Sequence, residues 1–216
     1  MVRSLRFALF ALLLPLAGQA QLVVTNTQTP AWLVQNILLG QGLSVSNITF
    51  NGAPATVVTE QAGEVDATNT VLGMGQGLIL ATGDVNNALG PNNSGSSSLG
   101  GGNMGQTDPD LEILANPQSV NDAAVLEFDF VPTGDSLKFD FVFASDEYLE
   151  FVNSVNDIFG FFLSGPGISG PFSNNSANIA LIPNTTDPVT INTVNDMVNS
   201  AYYVVNGTGI NFPYNG

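Results

Sequence analysis

The chain contains no cysteine and no histidine, and only three basic residues stand against 18 acidic ones. Each shortage closes off chemistry. Without cysteine there is no disulfide framework and no thiolate nucleophile. Without histidine as well, Ser-His-Asp catalysis and zinc sites built on Cys or His are excluded. Two of the three bases, Arg3 and Arg6, lie within the first twenty residues. Past that segment Lys138 is the one base against all 18 acids, a net charge of −17. Such a field repels nucleic-acid phosphates and anionic lipid surfaces and attracts cations. Two chemistries remain open: hydrolysis of glycosides by a carboxylate pair, and binding of a hard cation by oxygen ligands.

Long apolar runs are also scarce. The run at 7–14 is too short to span a bilayer. Arg3 and Arg6 precede it and Gly18-Gln19-Ala20 follows, the pattern of a signal peptide over residues 1–20 with cleavage after Ala20. The expectation is a secreted or cell-surface protein with no membrane insertion after cleavage.

Hydrophobic residues make up 44% of the chain and include 14 Phe, enough for a core, while charged residues are only 10%. The surface must therefore be mostly Asn, Ser, Thr, Gln and Gly, which suits an extracellular β-protein. Residues 21–216 are expected to form one such domain. Thr29-Pro30 signals a helix start, with Thr as N-cap and Pro at the first helical position, and predicts a helix over 30–39. Residues 43–50 alternate apolar with polar and end at Asn51-Gly52, a strand running into a tight turn. Residues 55–59 suggest a further strand, and the apolar run 77–81 a buried one. Residues 83–105 read as a flexible Gly/Asn/Ser loop, and 108–114 as a short helix with acids in its first turn.

The most informative stretch is 125–170. Leu126, Phe128 and Phe130 alternate with acids, and Leu137, Phe139, Phe141 and Phe143 alternate after the turn Pro132-Thr133-Gly134-Asp135. This predicts a hairpin in which Leu126 faces Phe141, Phe128 faces Phe139 and Asp129 faces Lys138, with Glu127 opposite Asp140. Residues 158–164 read as a strand buried on both faces, with Phe159, Phe161 and Phe162 in the core rather than on a carbohydrate platform. Gly165-Pro166-Gly167 turns the chain, and 179–182, 189–194 and 201–205 read as later strands. Of Tyr202 and Tyr203, one must face outward. The sum is an all-β fold, a β-sandwich or jelly roll with one short N-terminal helix.

Between the hairpin and the next strand, the loop 145–157 collects oxygen ligands. Asp146, Glu147, Asn156 and Asp157 supply the donor types that Ca²⁺ takes, with Asp108 and Asp110 as distant contributors. The spacing is not that of an EF-hand. The competing reading is that Asp146 and Asp157 merely cap turns.

The strings FVFASDEYLEFVNSVNDIFGFFLSGPGI, NIALIPNTTDPVTINTVN and YYVVN, in that order, resemble the choice-of-anchor L domain. LLGQGLSVSNITFNG, GQGLILATG, TDPDLEIL and NDAAVLEFDF fit the same pattern, so the likeness covers residues 37–216. The resemblance implies a secreted bacterial surface domain of the Bacteroidetes type, attached to varying anchor signals. It carries no catalytic residues. Where relatives often have a Cys after the EY pair, this chain has Asn153, and the expected continuation past the turn Asn215-Gly216 is absent, which suggests a truncated domain.

These readings favour a secreted, non-enzymatic module for adhesion or surface structure, stabilised by calcium, with an unidentified extracellular ligand or surface as partner. The alternative is a secreted glycoside hydrolase using a pair from Asp146, Glu147 and Glu150, or a carbohydrate-binding module. Carboxyl separation discriminates them. About 5 Å or more across a cleft indicates catalysis, whereas convergence on one point indicates a cation.

Overall fold

A computed structural model describes residues 22–39, 43–70, 72–90, 99 and 105–205. The expected leader at 1–20 and the terminal turn Asn215-Gly216 lie outside the described residues. Within them the fold is all-β and sandwich-like, with every strand pair antiparallel, two short α-helices and no closed barrel.

One sheet has the order β1-β4-β5, from β1 (Val23–Thr25), β4 (Ala62–Asp66) and β5 (Gln76–Leu80). β4 is largely buried, though its small residues and two acids carry little hydrophobic signal. A Cβ at Gly63 would sit 2.9 Å from the Thr25 carbonyl oxygen, so the neighbouring strand needs glycine there. β5 falls where the 77–81 run predicts, but it is half-buried rather than enclosed. Leu22, Val65 and Ala67 anchor this sheet's core, with Val24, Ile79 and Leu89 against them.

The N-terminal helix begins as its cap signal predicts. Thr29 Oγ1 accepts the Trp32 amide and Pro30 opens α1 (Pro30–Leu33), which widens into a π-helical turn over Val34–Leu38. Leu33 and Val34 are fully buried. α2 (Pro109–Ala115) is capped by Asp108, whose carboxylate accepts the amides of Asp110 and Leu111. The predicted 83–105 loop holds a 3₁₀ turn at Val85–Leu89 with Val85 wholly buried, while most of its Gly-rich centre lies outside the described residues.

A second sheet has the order β3-β2-β6, from β2 (Leu43–Phe50), β3 (Ala53–Pro54) and β6 (Leu126–Pro132). Asn51 and Gly52, both at positive φ, make the turn between β2 and β3. The partner strand is β3 itself, and the strand expected at 55–59 does not form. Asn51 also clamps the sheet: its amide and side-chain oxygen both pair with Val125, and its Nδ2 reaches buried Gln61.

The largest correction concerns the central hairpin. β6 pairs with β2, Val45 opposite Phe130 and Ser46 opposite Asp129, and residues 137–143 form no strand. The acids on β6 choose the partner. Asn47 Nδ2 donates to Asp129 at 2.6 Å and Thr49 Oγ1 to Glu127 at 3.3 Å. Neither the Asp129–Lys138 nor the Glu127–Asp140 pairing exists, and Lys138 stands exposed on the unpaired stretch. Phe139 packs edge-on against Phe161 at 4.4 Å and Phe141 against Phe159 at 5.0 Å. The two ring pairs step oppositely along the chain, so 137–143 lies antiparallel to 158–163 through side chains alone.

The expected long strand at 158–164 is split into β7 (Ile158–Phe159) and β8 (Phe162–Leu163), both half-buried. The break at Gly160-Phe161 is held by Asn178 Oδ1, which accepts the Phe161 amide. β7 pairs with β10 (Val189–Thr190) and β8 with β9 (Ala177–Asn178). The turn at 165–168 forms as predicted, closed by the Ile168 amide on the Gly165 carbonyl. Between 179 and 182 only an isolated bridge from Leu181 to Pro188 remains, and 201–205 is no strand, since Ser200–Tyr202 is a 3₁₀ turn. Tyr202 is exposed while Tyr203 packs inward.

Candidate functional site

Loop 145–157 hangs between the aromatic stretch 137–143 and β7. The antiparallel ring pairing brings its two ends together, and Ser145 Oγ donates to Asp157 Oδ2 at 2.7 Å. The same hydroxyl accepts the Glu147 amide at 3.0 Å, so Ser145 fixes both carboxylate residues. Inside the loop, amides of Phe151 and Val155 close helix-like turns on Glu147 and Phe151 carbonyls. Tyr148 is 8% exposed and packs against Tyr203, ring centroids 4.9 Å apart and tilted by 49°.

Glu147 is the electrostatic centre. Burial, then the charges of Asp157 and Asp146, push its pKa up from 4.5 to about 7. Two buried acceptors here have no hydrogen-bond partner, Glu147 Oε2 and Asn156 Oδ1. The Tyr148 hydroxyl is likewise buried and unpartnered. Its pKa is raised by burial, then by Tyr203 and Asp157.

Of the expected set, Asp146 and Asp157 are the charged neighbours of Glu147, and Asn156 precedes Asp157 in the chain. Asp108 and Asp110 are committed elsewhere. Asp108 caps α2, and Asp110 accepts both the amide and the hydroxyl of Ser173. Glu150 is exposed on the loop's outer side. Among the described residues, no three acidic side chains already converge around one metal-sized point. A cation held here would take Glu147 and Asp157 together with the Asn156 amide oxygen, backbone and water. That oxygen-only donor set fits Ca²⁺.

Residues the sequence did not single out position this loop. Asn192 Oδ1 accepts the Asn153 amide at 2.6 Å and its Nδ2 donates to the Val155 carbonyl at 3.0 Å. The Ile191 amide donates to the Asp157 carbonyl at 3.1 Å. Ser145 was legible from its place beside Asp146. Asn192 was not, being 39 residues from its partner in a chain rich in Asn.

A pH dependence follows in calcium-free buffer. The folded state holds the Glu147 proton more tightly than the unfolded chain does. This contribution is full below about pH 4.5 and is lost as pH rises through about 7. Asp66, whose pKa is lowered by Thr68, responds only at the acid end, outside this window. The melting temperature should therefore fall from pH 5 to pH 8, and Glu147→Gln should flatten that slope. An unchanged slope in the variant would assign the dependence to other groups.

The described residues form an all-β domain with an oxygen-rich loop, in a chain without thiol or imidazole. The Choice-of-anchor L domain model matches residues 22–216, and the chain belongs to that family of surface-associated domains. No curated protein and no solved structure matches it.

Proposed function

We propose that the protein is a secreted, non-enzymatic cell-surface module for adhesion or surface architecture, and that a calcium ion stiffens its 145–157 loop. Family membership supports the surface role. The charge of −17 past residue 20 opposes nucleic-acid partners and favours cations. No helix among the described residues is long and apolar enough to cross a membrane.

The observation that carries the calcium reading is the pair of buried, unpartnered acceptors, Glu147 Oε2 and Asn156 Oδ1, beside Asp157. Buried polar atoms are almost always satisfied, and acceptor atoms beside mutually repelling carboxylates call for a cation.

Thermal unfolding in millimolar calcium and in chelator tests the reading. An ion at a hundredfold excess over its Kd stabilises by about 2.7 kcal/mol, about 5–10 °C for a domain of this size. Asp157→Asn should abolish most of that difference. Identical melting with and without calcium in the wild-type protein would leave the carboxylates as turn caps.

A further inference from the structure

We propose that the 145–157 loop is a cation-operated clasp, and that binding there orders a second segment, residues 189–203, through Asn192, Asp157 and Tyr148. The proposal rests on the calcium reading above and adds what the ion controls.

The clasp has three attachments. Asn192 grips the loop backbone at Asn153 and Val155 with both ends of its amide. Asp157 has a double role: its carboxylate belongs to the ion cluster, and its own carbonyl accepts the Ile191 amide. Ordering Asp157 therefore orders Ile191. Tyr148, beside Glu147 in the chain, packs its ring against that of Tyr203. It is over nine-tenths buried with its hydroxyl unpartnered, close enough to Asp157 to feel that charge.

The gripped segment moves as a unit because buried Asn195 knots it. Its Nδ2 donates to the Ile191 and Asn192 carbonyls and its Oδ1 accepts the amides of Met197 and Val198. Asn199 closes the far side on the Thr193 carbonyl at 2.9 Å. Regular ladder pairing reaches only Val189 and Thr190. Beyond them the backbone is tied by the Thr190–Thr193 turn, this knot and the clasp, over the buried side chains of Ile191 and Val194. Where ladder bonds are few, exchange proceeds by local opening, and a ligand that removes the open state slows it.

Hydrogen–deuterium exchange on the secreted protein, with and without Ca²⁺, reads this out, alongside calorimetric titration with Ca²⁺. In the wild-type protein Ca²⁺ should slow exchange about tenfold or more in both 147–157 and 191–203. In Asn192→Ala, Ca²⁺ should still bind and protect 147–157, but protection of 191–203 should be lost. The wild-type comparison stands without any variant. Calcium uptake with protection confined to 147–157 overturns the clasp and leaves the calcium reading intact. Full protection of 191–203 in Asn192→Ala also overturns the clasp. No calcium uptake overturns both.

Discussion

Replacing Ile182 with alanine should destabilise the domain by about 2–5 kcal/mol, lowering its melting temperature by roughly 4–20 °C. Ile182 is 2% exposed and packs with Val189 and Val194, and Phe143, Phe159 and Tyr203 close over that group. No neighbour is free to collapse into the space, because these residues come from separate segments tied by their own hydrogen bonds. The cluster also underlies the carboxylate loop: Phe143 leads into Ser145, and Tyr203 carries Tyr148. Ile182→Val, which removes one methylene, should cost about 0.5–1.5 kcal/mol. Chemical denaturation of both variants checks the pair. A loss below about 1 kcal/mol for the alanine variant would mean that this cluster does not act as a close-packed core.

The second large effect is expected at Gly170. A Cβ there would lie 2.1 Å from the Ser176 carbonyl oxygen and 2.9 Å from the Ala177 Cα, both backbone atoms that cannot swing aside. Gly170→Ala must push apart the strands of chain at 169–171 and 176–177. That separation would break the Gly170 amide bond to the Asn175 carbonyl at 3.0 Å and strain the Phe172 amide bond to Ser176. The expected loss is about 3 kcal/mol, the upper end for forced overpacking, or roughly 6–12 °C in melting temperature. The bonds from Ser173 to Asp110 should go with it, since Ser173 sits inside the displaced turn. Gly134→Ala is the control, because a Cβ there meets nothing within 4 Å. Its stability should be unchanged or slightly higher, as the unfolded chain loses freedom. Equal melting of the two variants would show that the 170–176 turn is not as tightly closed as its backbone contacts indicate.

Signals carried by neighbouring residues were legible in the sequence. Thr29-Pro30 announced α1, Asp108 announced α2, and alternation announced β2 and β6. Pairing was not legible. A turn-like Pro132-Thr133-Gly134-Asp135 argued for a local hairpin, but β6 is claimed by β2 through side chains 82 and 78 residues away. Contacts at that separation leave no periodicity in either strand. β4 escaped because close packing there demands Ala62 and Gly63, residues that carry no hydrophobic signal. The strand expected at 158–164 is broken where the Asn178 side chain takes the Phe161 amide, and the one at 201–205 fails because the Tyr202 and Tyr203 amides turn back on the Asn199 and Ser200 carbonyls. The carboxylate loop itself was visible, since its ligands are close in sequence. Its supports were not: an Asn that grips a distant loop looks like any other Asn in a turn.

Proteases that cut after lysine or arginine meet a single target past residue 6, the bond between Lys138 and Phe139. That bond lies on the exposed stretch after β6 that joins no sheet, so it is within reach of such an enzyme. Everywhere else the domain is transparent to trypsin-type attack, folded or unfolded. Digestion therefore reads out as a single cut, with the Phe139 and Phe141 rings packed against Phe161 and Phe159 as the local brake on it. The lone lysine amine also gives the chain one internal address for acylating labels, on the stretch that leads directly into the carboxylate loop.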